Sequence, residues 1–485
     1  MKTDYPLTME EFLNQREAVL HTWPTGKGID LEEAVTYVKS LPEHVNAVKM
    51  LNKAKVKGET LVCGRAGVAT LEGQIELLKF LKESGSMDIL PITTDSLTRN
   101  NLYEKCEQGI RESQEKGVND LNGFPVVNHG VKGGRQLIEQ VLAPIVLRVV
   151  GLDVRLAMEI GLASGFTASA TAETTCFATY SKHETYEQIF NNYRYVDFIC
   201  RYYEEKGVPI YREYHSLNMR AVLIPPSLYN AVQVIQSLTM AAQGMKYLGP
   251  CSPIQGHLVQ DIAAVRSQVR MVEKYLKEFG YRDVTVFTVL NPWAGAYPVD
   301  QGQVYTLLSF SAAIASLVGA QLVLSKSIDE ALRVPKKENN AAGSRAMKLM
   351  LKLMEGVKWP ISEELQEEEE EIDVETKLIV DKVLELGDGD PAAGFSLALE
   401  RGVVDIPFSP NINVKDKVVP LRDHTRAIRY QDCGYLPFSE SVKRFNREKL
   451  NTRFARSAGK SQYDLLVEDV VGGLSLESLQ CAAQG

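Results

Sequence analysis

Arg65, Arg99 and Arg148 are the residues whose type and placement most directly imply chemistry. Each stands at or just past the C-terminal end of a short apolar stretch, 59–63, 87–93 and 144–147, of the kind that forms a buried strand. A guanidinium is a rigid fork of donors that matches a carboxylate two bonds at a time, each charge-assisted contact contributing roughly 1.5–3 kcal/mol. Three such forks at one end of a strand layer make a trap for a small molecule with more than one carboxylate. The rival reading is three surface arginines facing water; their shared position after successive strands favours the trap.

The elements that must position them follow from periodicity. Thr8 with Glu11 and Asp30 with Glu33 have capping-box spacing, so 1–57 is predicted to be an N-terminal helical arm. From 58 onward apolar stretches recur near 60–63, 88–93, 124–127, 144–147, 208–211, 221–224, 246–249, 284–290 and 320–325, with a further candidate at 165–171. Helical segments separate most of them, at 71–84, 186–206, 229–244, 259–279 and 304–318. This alternation predicts an α/β fold, a (β/α)8 TIM barrel over 58–386, with at least one candidate stretch not a barrel strand. On this count Arg65 follows strand one, Arg99 follows strand two, Asn122 to Pro125 enters strand three and Arg148 ends strand four. Gly67 then permits close backbone approach to a ligand. Lys326 and Glu330 end the last strand and open a helix, where Ser327 and Glu330 have the spacing of a capping box. The acidic run 363–371 reads as a solvated helix or linker, the basic cluster 443–456 as a solvated helix face, and 387–485 as a C-terminal extension with a loose end.

Composition narrows the function. The 485 residues are 45% hydrophobic and 24% charged, enough for a large core. A formal charge of −8 argues against a nucleic-acid binder. No run of about 18 apolar residues suggests a membrane span, and no apolar signal core follows Met1, so the expected location is cytoplasmic. Seven cysteines without a CxxC pair suit free thiols in a reducing compartment. The scattered histidines show no zinc spacing, and there is no P-loop, dinucleotide fingerprint or evident nucleophile–base set. What remains is a carboxylate-binding barrel without an acid–base engine, a combination that a cofactor would complete.

With these residues in view, the chain resembles the large (epsilon) subunits of glutamate mutase, or methylaspartate mutase, over about 8–470. The likeness rests on Trp23-Pro-Thr-Gly-Lys27, Arg65-Ala-Gly-Val68, Leu121-Asn-Gly-Phe-Pro125, Gly130-Val-Lys-Gly133, Pro225-Pro-Ser227, Gln260-Asp-Ile-Ala-Ala264, Asn340-Ala-Ala-Gly343, Asp405-Ile-Pro-Phe408 and Asn446-Arg-Glu448. The resemblance implies an adenosylcobalamin-dependent radical rearrangement interconverting L-glutamate and L-threo-3-methylaspartate. It further implies a small partner subunit carrying the DxHxxG cobalamin signature, which this chain lacks, and an assembly of two large and two small subunits. By the same likeness Arg65, Arg99, Arg148 and Tyr180 bind substrate, while Gly67, Asn122, Lys326 and Glu330 touch the adenosyl group.

The chain departs from the family pattern on the amino-group side of the pocket. Ala170 falls where the family has a glutamate, Cys176 where it has a tyrosine, and Val149 where it has a histidine; Glu173 is a nearby substitute acid. Three accounts stay open at this point. The chain is a glutamate mutase with a rebuilt ammonium site, a mutase for a related dicarboxylate or modified amino acid, or a non-catalytic binding or assembly protein. Retention of both the carboxylate and the adenosyl residues weighs against the third.

Overall fold

The computed structural model describes residues 6–215, 223–293, 295–332, 334–457 and 459–471. Its main sheet is built from β1 (Leu61–Cys63), β2 (Leu90–Thr93), β3 (Ile145–Arg148), β4 (Ala168–Ala170), β5 (Tyr211–His215), β6 (Tyr247–Pro253), β7 (Thr285–Val286), β8 (Val289–Asn291) and β9 (Leu322–Leu324). All neighbours are parallel, in the order β1-β9-β8-β6-β5-β4-β3-β2. β7 and β8 both pair with β6, so these nine strands make eight staves. A bridge between Cys63 and Ile89, with the Asp88 amide donating to Val62 O at 2.9 Å, closes the ring. The predicted (β/α)8 barrel is the observed fold.

Two predicted strands fall differently. Residues 124–127 do not form a strand: Pro125 caps the helix Val126–Val141. A pair of valines suits either state, and the proline selects the helix start. Arg148 therefore ends the third stave, not the fourth, and 165–171 supplies the fourth. In the 221–224 stretch, 221 and 222 lie outside the described residues, while Leu223 and Ile224 are buried without entering a strand.

The N-terminal segment does more than precede the barrel. Thr8 and Glu11 form the predicted reciprocal capping box on helix Met9–His21. Helix Ala47–Lys57 closes the barrel floor, setting Ala47, Val48, Leu51 and Ala54 against Leu61, Val146, Ala168 and Tyr211. Tyr211 fills the lumen because Gly249 leaves room for it; a Cβ there would stand 2.1 Å from the Tyr211 hydroxyl.

The acidic run is not simply solvated. It is the first part of one helix, Glu363–Leu386, in which Glu368 and Glu375 are buried. Glu368 is ion-paired with Arg429, and Glu375 accepts from Ser227 Oγ at 2.6 Å and Asn446 Nδ2 at 2.8 Å. Burial pushes the Glu375 carboxyl up to about 7. Arg429 and Asn446 belong to the C-terminal segment, where β10 (Val418–Arg422) and β11 (Ile428–Cys433) form an antiparallel hairpin beside helix Glu440–Arg456. In the basic cluster Arg453 is turned inward onto Asp469 at 2.9 Å. Among the described residues no helix is long and apolar enough to cross a membrane.

Gly249→Ala should therefore lower stability by about 1–3 kcal/mol, the usual cost of overpacking a filled core. Denaturant titration checks this, and adding Tyr211→Phe should recover part of the loss.

Candidate active site at the barrel mouth

Successive residues of a strand point to opposite faces, so the positions lining the barrel axis recur every two. Leu61, Cys63, Val146, Ala168, Tyr211, Val289, Leu322 and Leu324 are interior residues of the lumen. Continuing each series upward by steps of two reaches Arg65, Arg148, Ala170, Glu213, His215, Asn291 and Lys326. All of these except Glu213 line one cavity of about 540 Å³, together with Thr93, Arg99, Thr179, Tyr180, Tyr297 and Glu330. The three arginines thus converge at the C-terminal end of the barrel, where such folds carry their sites.

The arginines are not equivalent. Arg148 is buried and forked onto Glu213, with Nη1 2.7 Å from Oε1 and Nη2 3.3 Å from Oε2. Its Nε donates to Gly64 O at 3.2 Å, and Nη2 also reaches Cys63 Sγ at 3.5 Å. Of five guanidinium donors, one N–H on Nη1 is left for the cavity. A two-point grip on a ligand by Arg148, as expected from the sequence, would require breaking the Glu213 pair. Arg65 and Arg99 keep their forks: among the described residues only Arg99 Nε has a partner, Asp95 O at 3.3 Å. The Arg99 guanidinium lies 5.8 Å from the centre of the Tyr180 ring.

Glu213 and His215 were not singled out in the sequence. Burial raises the Glu213 carboxyl, but Arg148 and His215 outweigh it and hold the group down at about 2. His215 Nε2 lies 2.9 Å from Glu213 Oε1, and burial lowers the basicity of the ring. Thr175 Oγ1 donates to His215 O at 2.7 Å and fixes the strand end. Glu213, His215 and Cys251 have ligand atoms within 4.8 Å of one another, but the Arg148 guanidinium already neutralises that carboxylate and repels a cation. The signal that would have found this pair is the alternation Tyr211, Glu213, His215. The apolar pattern does not show it, because the strand carries charges at Arg212 and Glu213.

Lys326 and Glu330 pair at 3.4 Å, with the Lys326 ammonium 4.4 Å from the centre of the Tyr297 ring. The Ser327–Glu330 spacing does not cap a helix. It closes a turn, Glu330 N to Ser327 O at 3.2 Å, and the helix begins only at Lys337. Pro335 disfavours helical backbone just before it, and Asp329 accepts from Lys336 N at 3.1 Å and Asn339 Nδ2 at 2.8 Å.

After the two internal pairs, Arg148–Glu213 and Lys326–Glu330, the cavity keeps two uncompensated cations, Arg65 and Arg99. Six buried polar atoms on its lining side chains have no partner among the described residues: Arg65 Nε, Thr93 Oγ1, Thr179 Oγ1, His215 Nδ1, Asn291 Oδ1 and Tyr297 OH. Unmet polar groups gathered on one void imply a polar occupant. Their balance, two free cations with a few neutral donors and acceptors, suits a small dicarboxylate.

A second cavity of about 740 Å³ shares Arg65, Thr93, Arg99, Tyr180 and Glu330 with the first, and adds Gly67, Asn122, Gly123 and Asn340. A Cβ on Gly67 would meet Thr93 O at 2.3 Å and Gly123 Cα at 2.8 Å, so Gly67 serves close approach of two loops that form this wall. The lining from Gly67 to Gly123 mixes polar groups with Val68, Leu77 and Val118 and holds one cation, Arg99, which suits a nucleoside better than a phosphate.

Of the altered pocket residues, Ala170 lines the inner cavity beside Glu213 in the β4–β5 register. Val149 is packed in the core, and Cys176 is buried at the start of the π-helical turn Cys176–Tyr180 that delivers Thr179 and Tyr180 to the cavity. Glu173 does not reach the cavity. It accepts from Gln236 Nε2 at 2.7 Å, and burial, reinforced by Asp197, pushes its carboxyl up to about 8.

The family profile described as methylaspartate mutase E chain matches residues 41–475. A glutamate mutase epsilon subunit of Desulfitobacterium hafniense is 41% identical over 96% of each chain. One of Treponema denticola is 40% identical over 95% of each, and one of Escherichia coli O157:H7 is 36% identical over 96% of each.

Glu213→Leu should destabilise the fold by about 3–5 kcal/mol by leaving Arg148 buried without a counter-ion. The double replacement Arg148→Met with Glu213→Leu should recover most of that loss. Equal losses in the single and double variants, measured by denaturant unfolding, would show that the pair is not what balances Arg148.

Proposed function

The chain belongs to the methylaspartate mutase E chain family and is an isomerase of the mutase kind; from that premise we propose that it is the barrel subunit of an adenosylcobalamin-dependent mutase interconverting L-glutamate and L-threo-3-methylaspartate. The observation that carries this reading is the inner cavity, with two uncompensated guanidinium forks and its unmet polar groups. Arg65 and Arg99 take the two carboxylates. Arg148, held rigid by Glu213, adds one N–H and needs no rearrangement to do so. Tyr180 stands at the seam between the cavities, its ring beside Arg99.

Adenosylcobalamin supplies, when bound, a carbon radical able to take hydrogen from an unactivated carbon. The outer cavity is the fitting place for its adenosyl group. Asn122 and Glu330 offer hydrogen-bond acceptors to ribose hydroxyls, Lys326, on the inner cavity and paired with Glu330, offers a donor, and Gly67 keeps the wall thin. Among the described residues the one histidine lining either cavity is His215, whose Nε2 is engaged with Glu213. A small partner subunit bearing DxHxxG would hold most of the cobalamin, in a cytoplasmic assembly of two large and two small subunits. The chain's own task is to fix both carboxylates and keep water out of a low-dielectric cup while the substrate skeleton rearranges.

A second reading, a mutase for another dicarboxylate, is favoured by one observation: Glu330 is the sole acidic side chain lining the inner cavity among the described residues. Mixing the full chain with a cobalamin-binding subunit, adenosylcobalamin and L-glutamate should yield 3-methylaspartate by NMR. Arg65→Lys should raise KM at least about tenfold through loss of a bidentate charge-assisted grip. Turnover of another diacid with none from glutamate would select the second reading.

A further inference from the structure

Among the described residues, His215 is the one ring on the inner cavity wall with both a committed and an uncommitted nitrogen. Glu213 is forked by Arg148 and is an acceptor only, so the hydrogen between Glu213 and His215 belongs to His215 Nε2. In the neutral ring this leaves Nδ1 as a bare acceptor. That nitrogen is buried, lacks a partner among the described residues, and belongs to a residue 5% exposed. Asn291 Oδ1 is in the same condition on the same cavity. β6 joins the two strands, His215 pairing with Cys251 and Cys251 with Val289, so Asn291 lies one step above His215 on the same side of the ring. The cavity's cations, Arg65, Arg99, Arg148 and Lys326, are all donors suited to carboxylate oxygens, and its one carboxylate among the described residues, Glu330, is paired with Lys326. Two buried acceptors among them call for a donor on the ligand other than a carboxylate.

We propose that His215 Nδ1, oriented by Glu213 and assisted by Asn291 Oδ1, accepts a hydrogen bond from the substrate's amino group and makes this cavity selective for an amino diacid over the bare diacid. This rests on the reading of the inner cavity as a dicarboxylate site. The Glu213 carboxylate behind the imidazole stabilises positive charge at Nδ1, as a carboxylate does behind any histidine that meets a cation. Neutral recognition of this kind needs no acidic side chain in the cavity, and Ala170, across the strand pair from Glu213, leaves the space open.

The test is calorimetric binding of L-glutamate and of glutarate, which lacks only the amino group, to the full chain. Wild type should prefer L-glutamate by about tenfold or more, the ratio expected when a buried acceptor is left unmet. His215→Leu should abolish the preference while glutarate affinity stays within about twofold of wild type. His215→Gln, which restores an acceptor oxygen, should regain part of the preference. Equal affinities in wild type, or a preference that survives in His215→Leu, would overturn the assignment while leaving the diacid reading intact. Binding of neither compound to wild type would overturn the diacid reading and this inference with it.

Discussion

The ion pair between Arg148 and Glu213 is the interaction on which the mouth of this barrel depends. Both groups are buried, at a depth where either charge alone would be costly. Each settles the state of the other, and together they settle the state of what touches them. Glu213 is an anion because Arg148 faces it, and His215 carries its proton on Nε2 because Glu213 can only accept. The Gly64 carbonyl and the Cys63 thiol are drawn to the guanidinium edge, which ties the third stave to the first across the lumen.

From that pairing comes the division of labour among the arginines. With Arg148 occupied by a protein carboxylate, Arg65 and Arg99 remain as the cations without counter-ions, and they sit where the inner and outer cavities join. Preorganised charge of this kind costs little at the moment a ligand binds, since folding has already covered the desolvation. The same logic applies to Lys326 and Glu330, of which Glu330 lines both cavities. They neutralise one another and so present hydrogen-bonding edges rather than net charge.

Much of this was legible in the sequence, and the failures have physical causes. The arginines stood out because each follows an apolar strand, and strand ends are where a barrel gathers function. The barrel itself was legible because its helices are long and regularly spaced. The third stave is not at 124–127, because Val126-Val127 satisfies strand and helix equally and Pro125 decides in favour of a helix start. The apolar stretch 208–211 reaches only the first residue of the fifth stave, because Arg212 and Glu213 break the apolar pattern while Glu213 and His215 keep the inward alternation. The Ser327–Glu330 spacing suggested a cap, but tertiary hydrogen bonds of Asp329 and the proline at 335 hold that segment as a turn. The acidic helix read as solvated because a sequence does not reveal that Arg429, some sixty residues on, returns to meet Glu368. Spacing exposes periodic faces; it does not expose which distant partner neutralises a charge.

The most direct test is a crystal structure of the full chain with L-glutamate bound. One ligand carboxylate should lie on Arg65 and the other on Arg99, with Arg148 still forked onto Glu213. A structure in which Arg148 has left Glu213 to chelate the ligand, or in which the carboxylates lie away from Arg65 and Arg99, would contradict it.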